Sequence, residues 1–176
     1  MKSILLATTV LFTGFFAVAA DPMQGLPASV ALLHSALYGA NICSKDLPVG
    51  SEIYELGKGK KLYLVPCVMG AYQGSTNAFI TENDDQIAVP LMVLAFDEVI
   101  NGIAPTLELT EASYDEKKML LYSSAKGRGL GDCGQSSISK IELSEYGTVG
   151  VKTVEVRSKS KCDGKLSGWP IVFKQK

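Results

Sequence analysis

The segment Lys126 to Gly134 reads KGRGLGDCG, with four glycines in nine residues, one arginine and one aspartate. Backbone N–H groups in a glycine-rich turn can cradle an anion, which makes this a candidate phosphate loop. The flanking pattern argues against the common versions. A dinucleotide fingerprint needs a helix after the glycines, whereas Ser136 to Leu143 reads as strand, and a Walker-type loop ends in Gly-Lys-Ser or Gly-Lys-Thr, which is absent here. The alternative is that the glycines permit positive backbone dihedrals in a tight turn tethered by a disulfide, with Arg128 and Asp132 paired to hold it.

Nucleophilic and metal chemistry finds less support. The chain has a single histidine, His34, so a serine triad or a cysteine–histidine pair could draw only on that residue, and no G-x-S-x-G elbow occurs. Zinc is disfavoured because no two cysteines stand as C-x-x-C, and no other cofactor signature occurs. His34 falls beside an apolar helical stripe and is expected to be a partly exposed helix residue. Glu82, Asp84, Asp85, Asp97, Glu98, Asp115 and Glu116 lie near expected turns, where two could converge as acid and base, although acidic turn residues commonly serve as solvated caps. Among the aromatics, Tyr63 and Tyr122 fall in strands and suit the core. Tyr72 follows Gly70-Ala71 in a loop and is the best single candidate for a partner surface.

The elements that would position these residues are mostly strands. After Pro22 and Pro27, Ala28 to Tyr38 is the best helix, with Leu26, Val30, Leu33 and Leu37 on one face and Gly39 placed to stop it. From Ser51 onward come short runs rich in Val, Ile, Leu and Tyr, bounded by Gly, Asp, Asn, Ser or Pro. Glu52 to Leu56 and Lys61 to Val68 form a hairpin about Gly57-Lys58-Gly59-Lys60. Asn77 to Thr81 follows, then Ile87 to Phe96, in which Pro90 imposes an edge or bulged position. A second hairpin joins Thr106 to Thr110 with Lys118 to Ser124 around Tyr114 to Lys117, and a third joins Ser137 to Leu143 with Thr148 to Arg157. In that last strand Val149 and Val151 share one phase and Val154 and Val156 the other, which predicts a β-bulge near Lys152-Thr153. Trp169-Pro170 opens a terminal strand through Phe173, and Val99 to Ile103 is a possible second helical turn. The two halves echo each other faintly, as a duplicated β module would. The expected fold is mainly β (α+β): antiparallel hairpins with one N-terminal helix, braced by two disulfides.

Residues 1 to 20 carry Lys2, then an apolar stretch from Ile4 to Val18, then small residues up to Ala20, the tripartite layout of a cleavable signal peptide. Residues 21 to 176 would then form one domain. Lys2 is the only charge in the leader, so its removal leaves sixteen basic against eighteen acidic side chains and a net charge of −2. That balance disfavours nucleic acid as a partner. No later run reaches membrane-spanning length, because Pro90 interrupts the longest one. The four cysteines, Cys43, Cys67, Cys133 and Cys162, would all reach an oxidising compartment, where two disulfides are the default. Three pairings are possible, and locality favours Cys43 with Cys67 and Cys133 with Cys162.

The stretch Gly59 to Gln73 (GKKLYLVPCVMGAYQ), Tyr114-Asp115, the KGRGLGDCG segment, Cys162 and the late Trp169-Pro170 together resemble the proteobacterial secreted family known as domain of unknown function 1176. The resemblance covers about Ser51 to Lys174. It implies an exported envelope protein and carries over no catalytic residue. Family members often place a Trp soon after the Asp-Cys-Gly step and an Arg after the later Cys, whereas this chain has Ile138 and Ile141 in the first region and Asp163 in the second. The expected function is a non-enzymatic binding module for another envelope or extracellular macromolecule, periplasmic or secreted, with Tyr72, Arg128 and Asp132 as candidate binding residues. The alternatives are an envelope hydrolase with paired carboxylates and a protein inhibitor presenting the Gly127 to Gly134 turn.

Overall fold

In the computed structural model, residues 23–40, 42–44, 47, 50–166 and 168–176 are described, so the expected leader at 1–20 lies outside the described residues. The helix α1 spans Ala28–Gly39. Its first turn begins where Ala31 N–H donates to the Pro27 carbonyl at 2.9 Å, and Ile42 N–H closes its end on the Leu37 carbonyl at 3.0 Å. Val30 is fully buried, and Leu26, Leu33 and Leu37 pack around it against Tyr63, Val65 and Phe79. His34 corrects the sequence expectation: it is 0% exposed, with its ring edge-on to Phe79 at 6.0 Å between centroids. Four residues past Val30, it sits on the same helical face as the leucines, so geometry buries it where polarity suggested exposure.

The strands are β1 (Glu52–Gly57), β2 (Lys60–Met69), β3 (Gly74–Glu82), β4 (Ile87–Pro90), β5 (Val93–Asp97), β6 (Gly102–Thr106), β7 (Glu108–Thr110), β8 (Ser113–Asp115), β9 (Leu120–Lys126), β10 (Gly134–Leu143), β11 (Val149–Lys159) and β12 (Ile171–Lys174). They form one sheet ordered β1-β2-β3-β4 with β7 also on β3, a second ordered β12-β11-β10-β9-β8, and a ribbon of β5 and β6. All the pairings are antiparallel. The main core holds Leu62, Leu64, Ala78 and Ile80 of the first sheet together with Leu121 and Ile141 of the second. Because side chains alternate along a strand, the same β2 presents Leu62 and Leu64 to the second sheet and Tyr63 and Val65 to α1. The central strands are therefore buried on both faces, with the helix outside one sheet.

The disulfides are Cys43–Cys67 and Cys133–Cys162, the pairing that locality favoured. The bulge is also present. Ile138 faces Glu155 and Ser139 faces Thr153, so Val154 is the extra residue, next to the predicted step. Burial changes phase across it, from Thr153 to Val156 and Ser158. Thr153 also anchors the ribbon, because its Oγ1 accepts Leu94 N–H at 2.9 Å.

Three local expectations are corrected. The run from Ile87 splits: β4 ends at Pro90 on the sheet edge, and the chain leaves for the ribbon. Residues 98–101 form the ribbon's tip rather than a helical turn, because Asp97 Oδ1 accepts both Val99 N–H at 2.8 Å and Ile100 N–H at 3.2 Å. Finally, β7 pairs with β3 rather than with β9. Tyr114 and Asp115 are strand residues of β8, and the turn follows them, with Asp115 Oδ1 accepting Lys118 N–H at 3.1 Å.

Candidate functional site

The glycine-rich loop joins β9 to β10 and is held from inside. Gly127 N–H donates to the Cys133 carbonyl and Gly131 N–H to the Arg128 carbonyl, both at 2.9 Å. Arg128 forks onto Asp132, with Nε to Oδ1 at 2.8 Å and Nη2 to Oδ2 at 2.6 Å. Gly164 N–H adds a third bond to the same carboxylate at 2.6 Å. Asp132 is fully buried, and the Arg128 guanidinium holds its carboxyl far below the usual carboxylate range, with Gly164 N–H assisting against the burial cost. Asp132, Cys133 and Cys162 bring three metal-type ligand atoms within 4.8 Å of one another. The sulfurs are bonded to each other, however, and the carboxylate is taken by Arg128.

Gly134 shows what the glycines do. Its φ is +142°, and a Cβ there would stand 2.1 Å from the Ala125 carbonyl oxygen and 2.9 Å from the Trp169 ring. Two of the loop's N–H groups and its arginine fork face inward, so the arrangement is that of a strut.

Tyr72 lies in the turn between β2 and β3, where Gly70 N–H donates to the Gln73 carbonyl at 2.9 Å, and it is 55% exposed. Its neighbour Gln73 behaves as a short piece of strand: its Oε1 accepts Lys126 N–H at 2.9 Å and its Nε2 donates to the Lys126 carbonyl at 3.2 Å. This brings the Tyr72 turn beside the loop carrying Arg128 and Asp132. Gly70 to Gln73, the glycine-rich loop, Cys162 and Trp169 are thus gathered at one end of the molecule. Asp163, the departure from the family pattern, accepts Lys159 Nζ at 2.7 Å and Lys165 N–H at 3.0 Å, while Ile141 is fully buried in the core.

Next to this end lies a hollow of about 470 Å³. Its floor is Ser123 and Ala125 of β9 with Gln135, Ser136 and Ser137 of β10, and its wall is the ribbon, with Phe96, Asp97, Glu98, Pro105 and Thr106. A second hollow of about 270 Å³ is lined by Tyr72, Gln73 and Ser75. Glu108 and Thr110 of β7 line both, so the two hollows adjoin at that strand, and the pair, with Tyr72 on one side and the ribbon on the other, is called the groove below. Among the residues that line it, Ser75 Oγ and Gln135 Oε1 are closed off beneath the surface with no hydrogen-bond partner among the described residues.

Sequence reasoning found Tyr72 at one end of the groove but not the floor. The available signal was a pair of serine doublets, Ser123-Ser124 and Ser136-Ser137, which pair directly across β9 and β10. Of the acidic turn residues, Asp97 and Glu98 reach the groove. Others are engaged elsewhere: Glu82 pairs with Lys60 at 3.0 Å and Asp115 with Lys118 at 3.1 Å. Burial would raise the Asp85 carboxyl, but hydrogen bonds from Lys61 Nζ, Thr81 Oγ1 and Tyr63 OH outweigh it and hold the pKa below the usual value. Burial, reinforced by the bond to Asp85, pushes Tyr63 up to about 12.

Fold and site together define a disulfide-braced antiparallel β protein with a helix on its outer face and an open, acceptor-rich groove. The chain belongs to the family described as protein of unknown function (DUF1176), which matches residues 20–176. A relative is the "Uncharacterized protein YpfG" of Escherichia coli (strain K12), 35% identical over 94 residues, covering 52% of this chain and 27% of that protein. The match thus spans about a quarter of the relative's length. No solved structure matches the chain. Two disulfides are the mark of an oxidising compartment, and among the described residues no helix is long and apolar enough to cross a membrane.

Proposed function

We propose that the protein is a non-enzymatic binding module of the periplasm or cell exterior, which holds part of another envelope or extracellular macromolecule in the groove between Tyr72 and the β5–β6 ribbon. The carrying observation is the groove's construction: open polar hollows bounded by hydrogen-bonded strands, with an exposed aromatic at one end and serine, threonine and carboxylate side chains along them. Its two parts lie at about 270 and 470 Å³, together within the roughly 300–1,000 Å³ span of small-molecule sites and suited to a short segment of a longer chain. Arg128 and Asp132 support this site by fixing the adjoining loop rather than by facing the ligand.

Cosedimentation of the disulfide-intact protein with insoluble proteobacterial envelope material tests this. The protein is expected to sediment, and Tyr72→Ala combined with Ser136→Leu to weaken the apparent affinity about tenfold, the effect of losing roughly 1.4 kcal/mol. A protein that stays in the supernatant, or a folded double variant that sediments equally, refutes the proposal. The hydrolase alternative has one observation in its favour, because Asp97, Glu98 and Glu108 line the same groove. It predicts soluble fragments released in the same incubation and lost in Glu108→Gln.

A further inference from the structure

Separately from the groove, we infer that the end of the molecule carrying the glycine-rich loop docks on the surface of an anionic lipid bilayer, with Leu130 and Leu166 entering it and lysines meeting its phosphates. Charge is unevenly placed along the chain. The segments 126–134 and 159–169 hold five basic side chains, Lys126, Arg128, Lys159, Lys161 and Lys165, against two acidic ones, Asp132 and Asp163, whereas the whole chain carries a formal charge of −1. Both acids are already engaged, Asp132 by Arg128 at 2.6 Å and Asp163 by Lys159 at 2.7 Å. Lys126, Lys161 and Lys165 are exposed, and their ammonium groups have no acidic partner among the described residues. The groove's carboxylates, Asp97, Glu98 and Glu108, belong to the ribbon and β7 and so lie off these two loops.

A single exposed leucine is ordinary, because much of any protein surface is apolar. Leu130 and Leu166 differ in being paired and flanked by cations. Leu130 sits in the turn that Gly131 N–H closes on the Arg128 carbonyl and is 66% exposed, and Leu166 is 74% exposed. Each stands two residues from the 2.6 Å hydrogen bond of Gly164 N–H to Asp132, which with the Cys133–Cys162 bridge staples the two loops together. The Lys126 stem lies along Gly131, 3.6 Å from where a Cβ would stand, which places it beside Leu130, and Lys165 directly precedes Leu166. Apolar tips among lysines suit the boundary where hydrocarbon meets phosphate, since the leucine leaves water while the ammonium stays at headgroup level. An anionic polysaccharide would satisfy the lysines and leave the leucines in water. A protein partner would need an apolar socket for each of two separate tips, whereas a bilayer receives both without one.

Cosedimentation of the disulfide-intact protein at low salt with three surfaces tests this: vesicles of phosphatidylglycerol and phosphatidylethanolamine in equal parts, vesicles of phosphatidylcholine alone, and beads coated with polyglutamate. Tight binding is expected only to the anionic vesicles. Lys126→Gln, Lys161→Gln and Lys165→Gln should each weaken it about fivefold, the equivalent of ~1 kcal/mol per lysine near a charged surface. Leu130→Ser combined with Leu166→Ser should weaken it about tenfold or more, with circular dichroism as in the parent because both residues are exposed. Equal binding to phosphatidylcholine overturns the charge requirement, and a leucine variant that binds like the parent overturns insertion. Equal binding to the beads points to an acidic macromolecule and overturns the bilayer. Binding to none of the three overturns the inference outright and leaves the groove standing, since the groove is scored on Tyr72 and Ser136.

Discussion

Replacing Gly134 by alanine tests whether the glycines of the KGRGLGDCG segment exist for geometry. The added methyl meets two separate penalties. At φ +142° the backbone lies where side-chain-bearing residues are rarely found, which costs about 1–3 kcal/mol. The methyl would also stand 2.1 Å from the Ala125 carbonyl oxygen and 2.9 Å from Lys126 Cα, both backbone atoms of the neighbouring strand. Relief requires β9 and β10 to separate where Gln135 pairs with Ala125, and overpacking of this kind costs a further ~1–3 kcal/mol. The expected loss is about 4 kcal/mol, a fall of about 2 M in urea midpoint for a slope near 2 kcal/mol/M. Trp169, the chain's single tryptophan, has its ring beside Gly134, so its fluorescence reports the site while circular dichroism reports the whole. Gly129→Ala is the control, because nothing lies within 4 Å of its added Cβ and its φ is ordinary. It should stay within about 0.5 kcal/mol of the parent. A Gly134→Ala midpoint within 0.3 M of the parent on the same ~2 kcal/mol/M slope, or a Gly129→Ala loss as large as that of Gly134→Ala, would refute the geometric account.

Other perturbations probe the remaining supports. Burial depresses the His34 pKa, opposed by a hydrogen bond to the Pro66 carbonyl. The unfolded chain therefore binds the proton first, and stability that is complete above about pH 6.5 falls as the pH drops below it. His34→Phe should flatten the profile between pH 7.5 and 5, and an unchanged profile would show that another group carries it. Converting Cys43 and Cys67 together to alanine opens a loop of sequence separation 24 and should cost about 3 kcal/mol in urea unfolding. A loss under 1 kcal/mol would mean that the segment before β1 is held without the bridge. Arg128→Lys keeps the charge but loses the fork onto Asp132, so hydrogen exchange should quicken in residues 127–134 and not in β2 or β3. Equal protection there would remove the strut role.

Much of the architecture was legible because it follows local rules. The Lys58-Gly59 hairpin, the helix closing near Gly39 and the phase change in β11 each depend on a few adjacent residues, and the disulfides join cysteines next to each other in chain order, at separations of 24 and 29. What was missed depends on docking. Thr106 to Thr110 has the composition of a hairpin partner for β9, yet β7 pairs with β3, because β4 leaves that edge at Phe79 and exposes Ser75 to Asn77 for a second partner. His34 could not be placed until the helix had a sheet beneath it. The groove needed more still, since its floor, wall and junction come from β9, β10, the ribbon and β7, which no sequence window contains together.

The gathering of the motif residues at one end bears on how such a groove would work. Binding loses affinity to every rotor that must be ordered, so a site gains by having its boundaries fixed beforehand. Here most of the fixing contacts are distinct from the groove's lining, Gln73 alone serving as both. Arg128, Asp132 and the Cys133–Cys162 bridge lock the loop after β9, and Gln73 fastens the Tyr72 turn to Lys126, the last residue of β9. Thr153 pins the ribbon through Leu94 on the opposite wall. A change in the strut should therefore reach the ligand only through position, weakening every ligand alike, whereas a change at Asp97 or Glu108 should alter which ligand is preferred.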